Sequence, residues 1–117
     1  MIARINIVML GVTDLSRSVA FYGDQIGLTL QHQMPGFAYL NAGNVTLCLS
    51  EPLAKNREHL NGATEIVLAV EHVRAAFAQL QALGVEFVNQ PRVVTGTSWA
   101  ANFLDPDGHL LSVFGPE

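Results

Sequence analysis

An internal repeat constrains this chain more than any other feature. Val8-Met9-Leu10-Gly11-Val12 returns fifty-eight residues later as Ile66-Val67-Leu68-Ala69-Val70. The same offset carries Leu15 onto Val73, Ser18 onto Ala76, Val19 onto Phe77 and Tyr22 onto Leu80. At an offset of sixty-four, Tyr39-Leu40 matches Phe103-Leu104, and Leu47-Cys48-Leu49 matches Leu111-Ser112-Val113. Such a period marks a duplicated supersecondary unit. Each copy is too short to bury its own sheet face, so the copies must pair.

The elements inside each copy follow from local pattern. Apolar runs predict strands at Ile5 to Val12, Val45 to Leu49, Ile66 to Val70 and Leu110 to Phe114, with weaker strand patterns at Leu28 to Gln33, Phe37 to Asn41, Glu86 to Gln90 and Ala100 to Leu104. Asp14 is a good N-cap for a first helix that places Leu15, Ser18, Val19 and Tyr22 on one face. A second helix runs from Val73 to Leu83 with an apolar stripe of Val73, Ala76, Phe77 and Leu80; Gly84 stops it, while His72 is a poor cap at its start. The order is strand, helix, three strands, twice over. This predicts one α+β domain over 1–117, made of a β-α-β-β-β module at 1–50, a linker at 51–64 that carries Pro52, Asn56, Asn61 and Gly62, and a second module at 65–117.

Composition narrows the function. Half the residues are hydrophobic and 14% are charged, which excludes intrinsic disorder. The net charge is −4, and Arg4, Arg17, Lys55, Arg57, Arg74 and Arg92 are scattered, so no basic patch exists to track nucleic acid. One cysteine, Cys48, permits neither an internal disulfide nor a zinc-ribbon spacing. No run of about twenty apolar residues is present to span a membrane, and the opening residues lack a leader pattern. The expectation is a soluble, cytoplasmic protein with no nucleic-acid or membrane partner.

The opening Leu10-Gly11-Val12-Thr13-Asp14-Leu15-Ser16-Arg17-Ser18-Val19-Ala20-Phe21-Tyr22, followed by Ile26-Gly27-Leu28, and the later Phe103-Leu104-Asp105-Pro106-Asp107-Gly108-His109 resemble the vicinal oxygen chelate superfamily. That family includes glyoxalase I, methylmalonyl-CoA epimerase, extradiol dioxygenases, fosfomycin-resistance enzymes and bleomycin-resistance proteins. The resemblance covers nearly the whole chain. It implies that each module curls its sheet, and that two modules form a cup with helices on the convex side. Strand alternation then puts Val8, Leu10 and Val12 against the first helix and Ile66, Leu68 and Val70 against the second. Ile5, Ile7, Met9, Glu65, Val67 and Ala69 face into the cup, with Thr46, Cys48, Ser50, Leu110, Ser112 and Phe114 completing its wall.

Enzymes of that family hold a divalent metal with four cup-facing side chains, and the resemblance puts those positions at Ile7, Cys48, Glu65 and Ser112. Only Glu65 is a standard ligand for a hard or borderline cation. His32, His59, His72 and His109 share no ligand spacing and read as solvated or turn-satisfying. The expectation is therefore no metal cofactor, which disfavours metal-dependent chemistry.

Glu65 is the remaining chemical candidate: a carboxylate among apolar neighbours, expected to be desolvated, serving as a ligand acceptor or a metal-free general base. Its alternative is a strand-start residue reaching water. Cys48 reads first as a small buried hydrophobe. Trp99, Phe37, Tyr39 and Phe103 are aromatics on the middle strands, suited to core packing or to holding a flat ligand; Met9, Met34 and Phe114 would add an adaptable wall. The predicted ligand contacts are Ile7, Met9, Tyr39, Cys48, Glu65, Trp99, Phe103 and Ser112. Three functions compete: a metal-independent binder that sequesters a partly apolar or aromatic small molecule, as in antibiotic resistance; a lyase, epimerase or dioxygenase with an atypical site around Glu65; and a non-catalytic subunit acting through its dimer interface. The resemblance also implies a homodimer with two symmetric sites, in which an arrangement with modules exchanged between chains is favoured over an unexchanged one.

Overall fold

In the computed structural model, which describes residues 5–55 and 64–117, each repeat builds its own four-stranded mixed sheet. The chain divides into two compact units, Met1–Asn61 and Gly62–Glu117, so the boundary falls inside the stretch read as a linker.

The first unit contains β1 (Ile7–Gly11), α1 (Leu15–Ala20), β2 (Thr29–Met34), β3 (Phe37–Asn41), β4 (Thr46–Ser50) and α2 (Glu51–Lys55). Its sheet order is β1-β4-β3-β2, with β1 parallel to β4 and the other pairs antiparallel. The second unit repeats this with β5 (Glu65–Ala69), α3 (Val73–Ala82), β6 (Arg92–Thr95), β7 (Ser98–Leu104) and β8 (Leu110–Gly115), in the order β5-β8-β7-β6. Equivalent backbone bonds close both parallel pairs: Val12 N–H donates to the Ser50 carbonyl at 3.1 Å, and Val70 N–H to the Phe114 carbonyl at 3.0 Å.

Alternation assigns the faces. Leu10 and Val12 are buried whereas Ile7 and Met9 are exposed, and Ile66 and Leu68 are more covered than Glu65, Val67 and Ala69. The first unit packs α1 against β3 and β4, over a core that includes Leu40, Leu47 and Leu49; the second packs α3 against β7 and β8, over Ala101, Phe103, Leu111 and Val113. Burying such side chains is the main stabilising term of each unit, at about 25 cal/mol per Å² of apolar surface removed from water.

Helix starts and stops are explained by local chemistry. Asp14, in extended conformation, accepts the Arg17 N–H at 3.1 Å. After Ala20 the helix widens into a π-helical turn, Phe21–Gln25, which buries the adjacent rings of Phe21 and Tyr22 edge to face at 5.0 Å. His72 makes no side-chain cap. Instead Val73 N–H and Arg74 N–H donate to the carbonyls of Pro116 and Glu117 at 2.8 and 3.0 Å, so the chain after β8 satisfies the start of α3. Gly84 ends that helix at φ +92.

Two expectations are corrected. The linker does not begin at residue 51: Glu51–Lys55 is the short helix α2, because Ser50 Oγ accepts the Leu53 N–H at 3.1 Å and Pro52 fits a first turn. The rest of that stretch, with His59, lies outside the described residues, as do residues 1–4 with Arg4. Nor is Glu86 to Gln90 a strand. Phe87 makes only an isolated bridge to Phe103, its ring held 4.5 Å from Phe77 and 5.1 Å from Phe103, and the paired strand is Arg92–Thr95 beyond Pro91. Pro91, which has no N–H to donate, interrupts that segment before β6.

Candidate functional site

The open face of the second sheet, away from α3, carries a cavity of about 470 Å³. Its walls are apolar, from Val67, Val88, Val94, Leu110 and Phe114. Its polar groups are Glu65 at the start of β5, Arg92 at the start of β6, Asn89 in the segment before it, Asn102 in β7 and Ser112 in β8. Register explains the convergence: Val67 pairs with Ser112 and Ser112 with Asn102, so one row crosses three strands.

Asn102 organises the site. Its Nδ2 donates to Glu65 Oε1 at 2.9 Å and to the Leu111 carbonyl at 3.4 Å. Its Oδ1 accepts from Arg92 Nη2 at 3.1 Å and from Asn89 Nδ2 at 3.0 Å, while its own N–H donates to Asn89 Oδ1 at 2.8 Å. Every polar group of that side chain is therefore used, as a buried amide requires; Asn102 is 9% exposed. Glu65 and Arg92 are exposed and oriented from opposite ends of one amide. Arg92 also reaches the Ala100 carbonyl at 3.5 Å. Glu65 faces the open side as alternation predicts, but it is exposed, and its expected desolvation is not what the unit shows.

The first sheet presents a different row on its open face. Met9 pairs with Cys48, Cys48 with Tyr39, and Tyr39 with His32, across all four strands. The His32 and Tyr39 rings stack at 6.0 Å and 29°. Cys48, within this row, is fully buried, and burial pushes its thiol up, partly opposed by a hydrogen bond from Tyr39. The Tyr39 phenol is raised too, by desolvation first and then by the neighbouring Cys48. Ile7 flanks the row on β1.

The predicted contact residues thus fall into separate places. Ile7, Met9, Tyr39 and Cys48 share the open face of the first sheet, and Glu65 and Ser112 that of the second. Trp99 and Phe103 are on the other side. Phe103 is fully buried against Phe87, and Trp99 lies under the Arg74 guanidinium, 4.6 Å from the ring centre, on the side of α3. The reason is a register slip of one residue. Cys48 pairs with Tyr39 and its counterpart Ser112 pairs with Asn102, so the partner of Tyr39 in the second copy is Asn102, not Phe103. One residue of slip inverts the face.

Asn102, Arg92 and Asn89 were not among the predicted site residues. A lone amide inside the apolar run Trp99-Ala100-Ala101-Asn102-Phe103-Leu104 was the available signal, since buried amides are held for their hydrogen bonds. The four positions matched to metal ligands bring an exposed alkyl group at Ile7, a buried thiol at Cys48, a hydroxyl at Ser112 and a carboxylate at Glu65 that already accepts from Asn102. That is a poor donor set for a divalent cation. Among the described residues no helix is long and apolar enough to cross a membrane.

Comparison with known proteins agrees with this architecture. Residues 4–113 match the family described as the glyoxalase/bleomycin resistance protein/dioxygenase superfamily, and the chain belongs to it. It is 32% identical to the glutathione transferase FosA of Serratia marcescens, over 97% of this chain and 81% of that one. It is 28% identical to a bleomycin resistance protein of Geobacillus stearothermophilus, over 93% of this chain and 94% of that one. The fold is shared with TnmS3, an antibiotic binding protein from Streptomyces sp. CB03234, at a TM-score of 0.82 and 24% identity over 99% and 98% of the two chains.

Proposed function

We propose that this member of the superfamily is a metal-independent binding protein that sequesters a small, partly apolar or aromatic molecule. The observation that carries the reading is the cavity of about 470 Å³ on the second sheet, with apolar walls around a pre-bonded polar cluster. A few fixed polar groups in an apolar concavity are what a small-molecule site requires. The residue types at the matched ligand positions support independence from metal, since Ile7 has no donor and Ser112 is a weak one. The likeness to a bleomycin resistance protein over nearly the full length of both chains supports sequestration of an antibiotic-like compound.

The test is calorimetric titration of the full chain with metal-free bleomycin and with a panel of planar aromatic antibiotics, each with and without EDTA. Saturable binding that EDTA leaves unchanged supports the reading. Binding that requires added Mn²⁺, Zn²⁺ or Ni²⁺, or no binding by any compound, would overturn it.

The 32% identity to FosA favours one competing reading, an enzyme transferring glutathione. Incubating glutathione and an electrophilic substrate with the protein and following thiol loss distinguishes it. We also infer a homodimer, supported by the exposed Ile7 and Met9 on β1, an edge strand within its own sheet. Light scattering at micromolar concentration tests the dimer, and a disulfide engineered between modules of different chains tests their exchange.

A further inference from the structure

Resting on the binding reading above, we propose that the second-sheet cavity selects dipolar ligands, compounds that carry a cationic donor and an anionic acceptor on one apolar body, and that Asn102 is the positioning residue for that selection. The chemistry starts from saturation. The Asn102 side chain has its donors and acceptor engaged with Glu65, Leu111, Arg92 and Asn89, so it has nothing left to offer a ligand. What it does is hold two exposed, opposite charges at the ends of one amide, in one cavity.

Both charges keep capacity. Glu65, part of the cavity lining, uses Oε1 toward Asn102 and keeps Oε2 as a second acceptor. Arg92 directs Nη2 to Asn102 and Nη1 to the Ala100 carbonyl, and a guanidinium has five N–H donors. An ammonium group placed at Glu65 and a carboxylate at Arg92 would each gain a charge-assisted hydrogen bond. The apolar walls of Val67, Val88, Leu110 and Phe114 take the rest of the ligand. A group of one sign only satisfies one charge and leaves the other facing an occupied cavity with its water displaced, which costs affinity. The cross-bonding through Asn102 also keeps Glu65 and Arg92 from collapsing into a direct ion pair, so neither must be released before the ligand enters.

A matched set of indoles tests this: tryptophan (both charges), tryptamine (cation only), indole-3-propionate (anion only) and indole (neither), titrated into ¹⁵N-labelled protein. Tryptophan is expected to bind about tenfold tighter than either singly charged analogue, the value of one charge-assisted hydrogen bond, with shifts centred on β5, β6 and β7. Glu65→Gln should weaken tryptophan and tryptamine but not indole-3-propionate. Arg92→Gln should weaken tryptophan and indole-3-propionate but not tryptamine. Asn102→Ala should remove the preference for tryptophan while indole still binds. The two surface substitutions keep the test decisive if the Asn102 variant does not fold. Equal affinities across the charged set, or a tryptophan preference that survives both surface substitutions, would overturn the proposal while leaving the binding reading intact if indole shifts the same resonances. Failure of all four probes, with antibiotics binding elsewhere, also overturns it.

Discussion

Gly11→Ala should destabilise the first unit by overpacking, although Gly11 needs no unusual backbone. A Cβ built there sits 2.9 Å from the backbone nitrogen of Ala54, 3.0 Å from its Cα and 3.3 Å from its Cβ. Two of those atoms are backbone, so α2 must lift from β1 rather than a side chain rotate. Inserting a methyl into such a contact costs about 1–3 kcal/mol. With a urea m-value of about 1–2 kcal/mol per M for a chain of this size, the midpoint should fall by about 1 M. A second effect follows the first. Glu51, at the start of α2, accepts the Leu15 N–H at 3.1 Å, so lifting α2 withdraws a carboxylate from the start of α1. Glu51→Gln alone should cost about 0.5–1 kcal/mol, and less in the Gly11→Ala background, where the contact is already strained. A double-mutant cycle read by urea denaturation, with amide shifts in α2, checks both. A change within about 0.5 kcal/mol and unmoved α2 resonances would refute the packing argument. The repeat supplies a control, since the counterpart of Gly11 is Ala69, an exposed alanine.

Phe103→Ala should cost about 3–5 kcal/mol, because a fully buried ring that touches Phe87 is lost; urea melts check it, and a loss below about 1 kcal/mol would return the residue to the ligand site. Trp99→Ala should cost less than Phe103→Ala, since Trp99 is only half-buried and its exposed Arg74 stack is worth about 0.5–1 kcal/mol beyond the ring's packing; ligand affinity should be unchanged. The ¹³Cβ resonance of Cys48 should titrate with its pH midpoint above the usual thiol range, since burial disfavours the thiolate. Tyr39→Phe removes the bond that favours the thiolate and should move that midpoint further up; a downward move would contradict the assigned contact. Dialysis against EDTA should leave the melting temperature where it was, and a fall of several degrees would point to a structural or bound metal.

The duplicated architecture was readable because it rests on burial patterns that survive sequence divergence. Leu10 and Val12 against Ile66 and Leu68, the Asp14 cap and the Gly84 stop all express local rules. The site was less legible. Its residues come from β5, β6, β7, β8 and an irregular segment, and their convergence depends on register, which apolar pattern fixes poorly where small residues such as Ala100 and Ala101 fill both faces. Matching Tyr39 to Phe103 preserved aromatic character and lost the face. Ser50 was legible as a strand residue but not as the cap of α2, because it performs both roles in one position. The missing cap at His72 was visible, whereas its replacement by carbonyls forty-three residues away in sequence could not be seen locally.

The parallel pairs β1–β4 and β5–β8 set the folding problem of each half. Both close loops of about forty residues, and because closure entropy grows only with the logarithm of loop length, the two closures differ by about 0.1 kcal/mol. Topology therefore gives neither half a head start. Side chains then set the expected order: the Phe77, Phe87 and Phe103 cluster needs no contact with β5, while α2 rests on β1, which must first reach β4. Substitutions in that aromatic cluster should then slow refolding, and those beneath α2 should chiefly hasten unfolding.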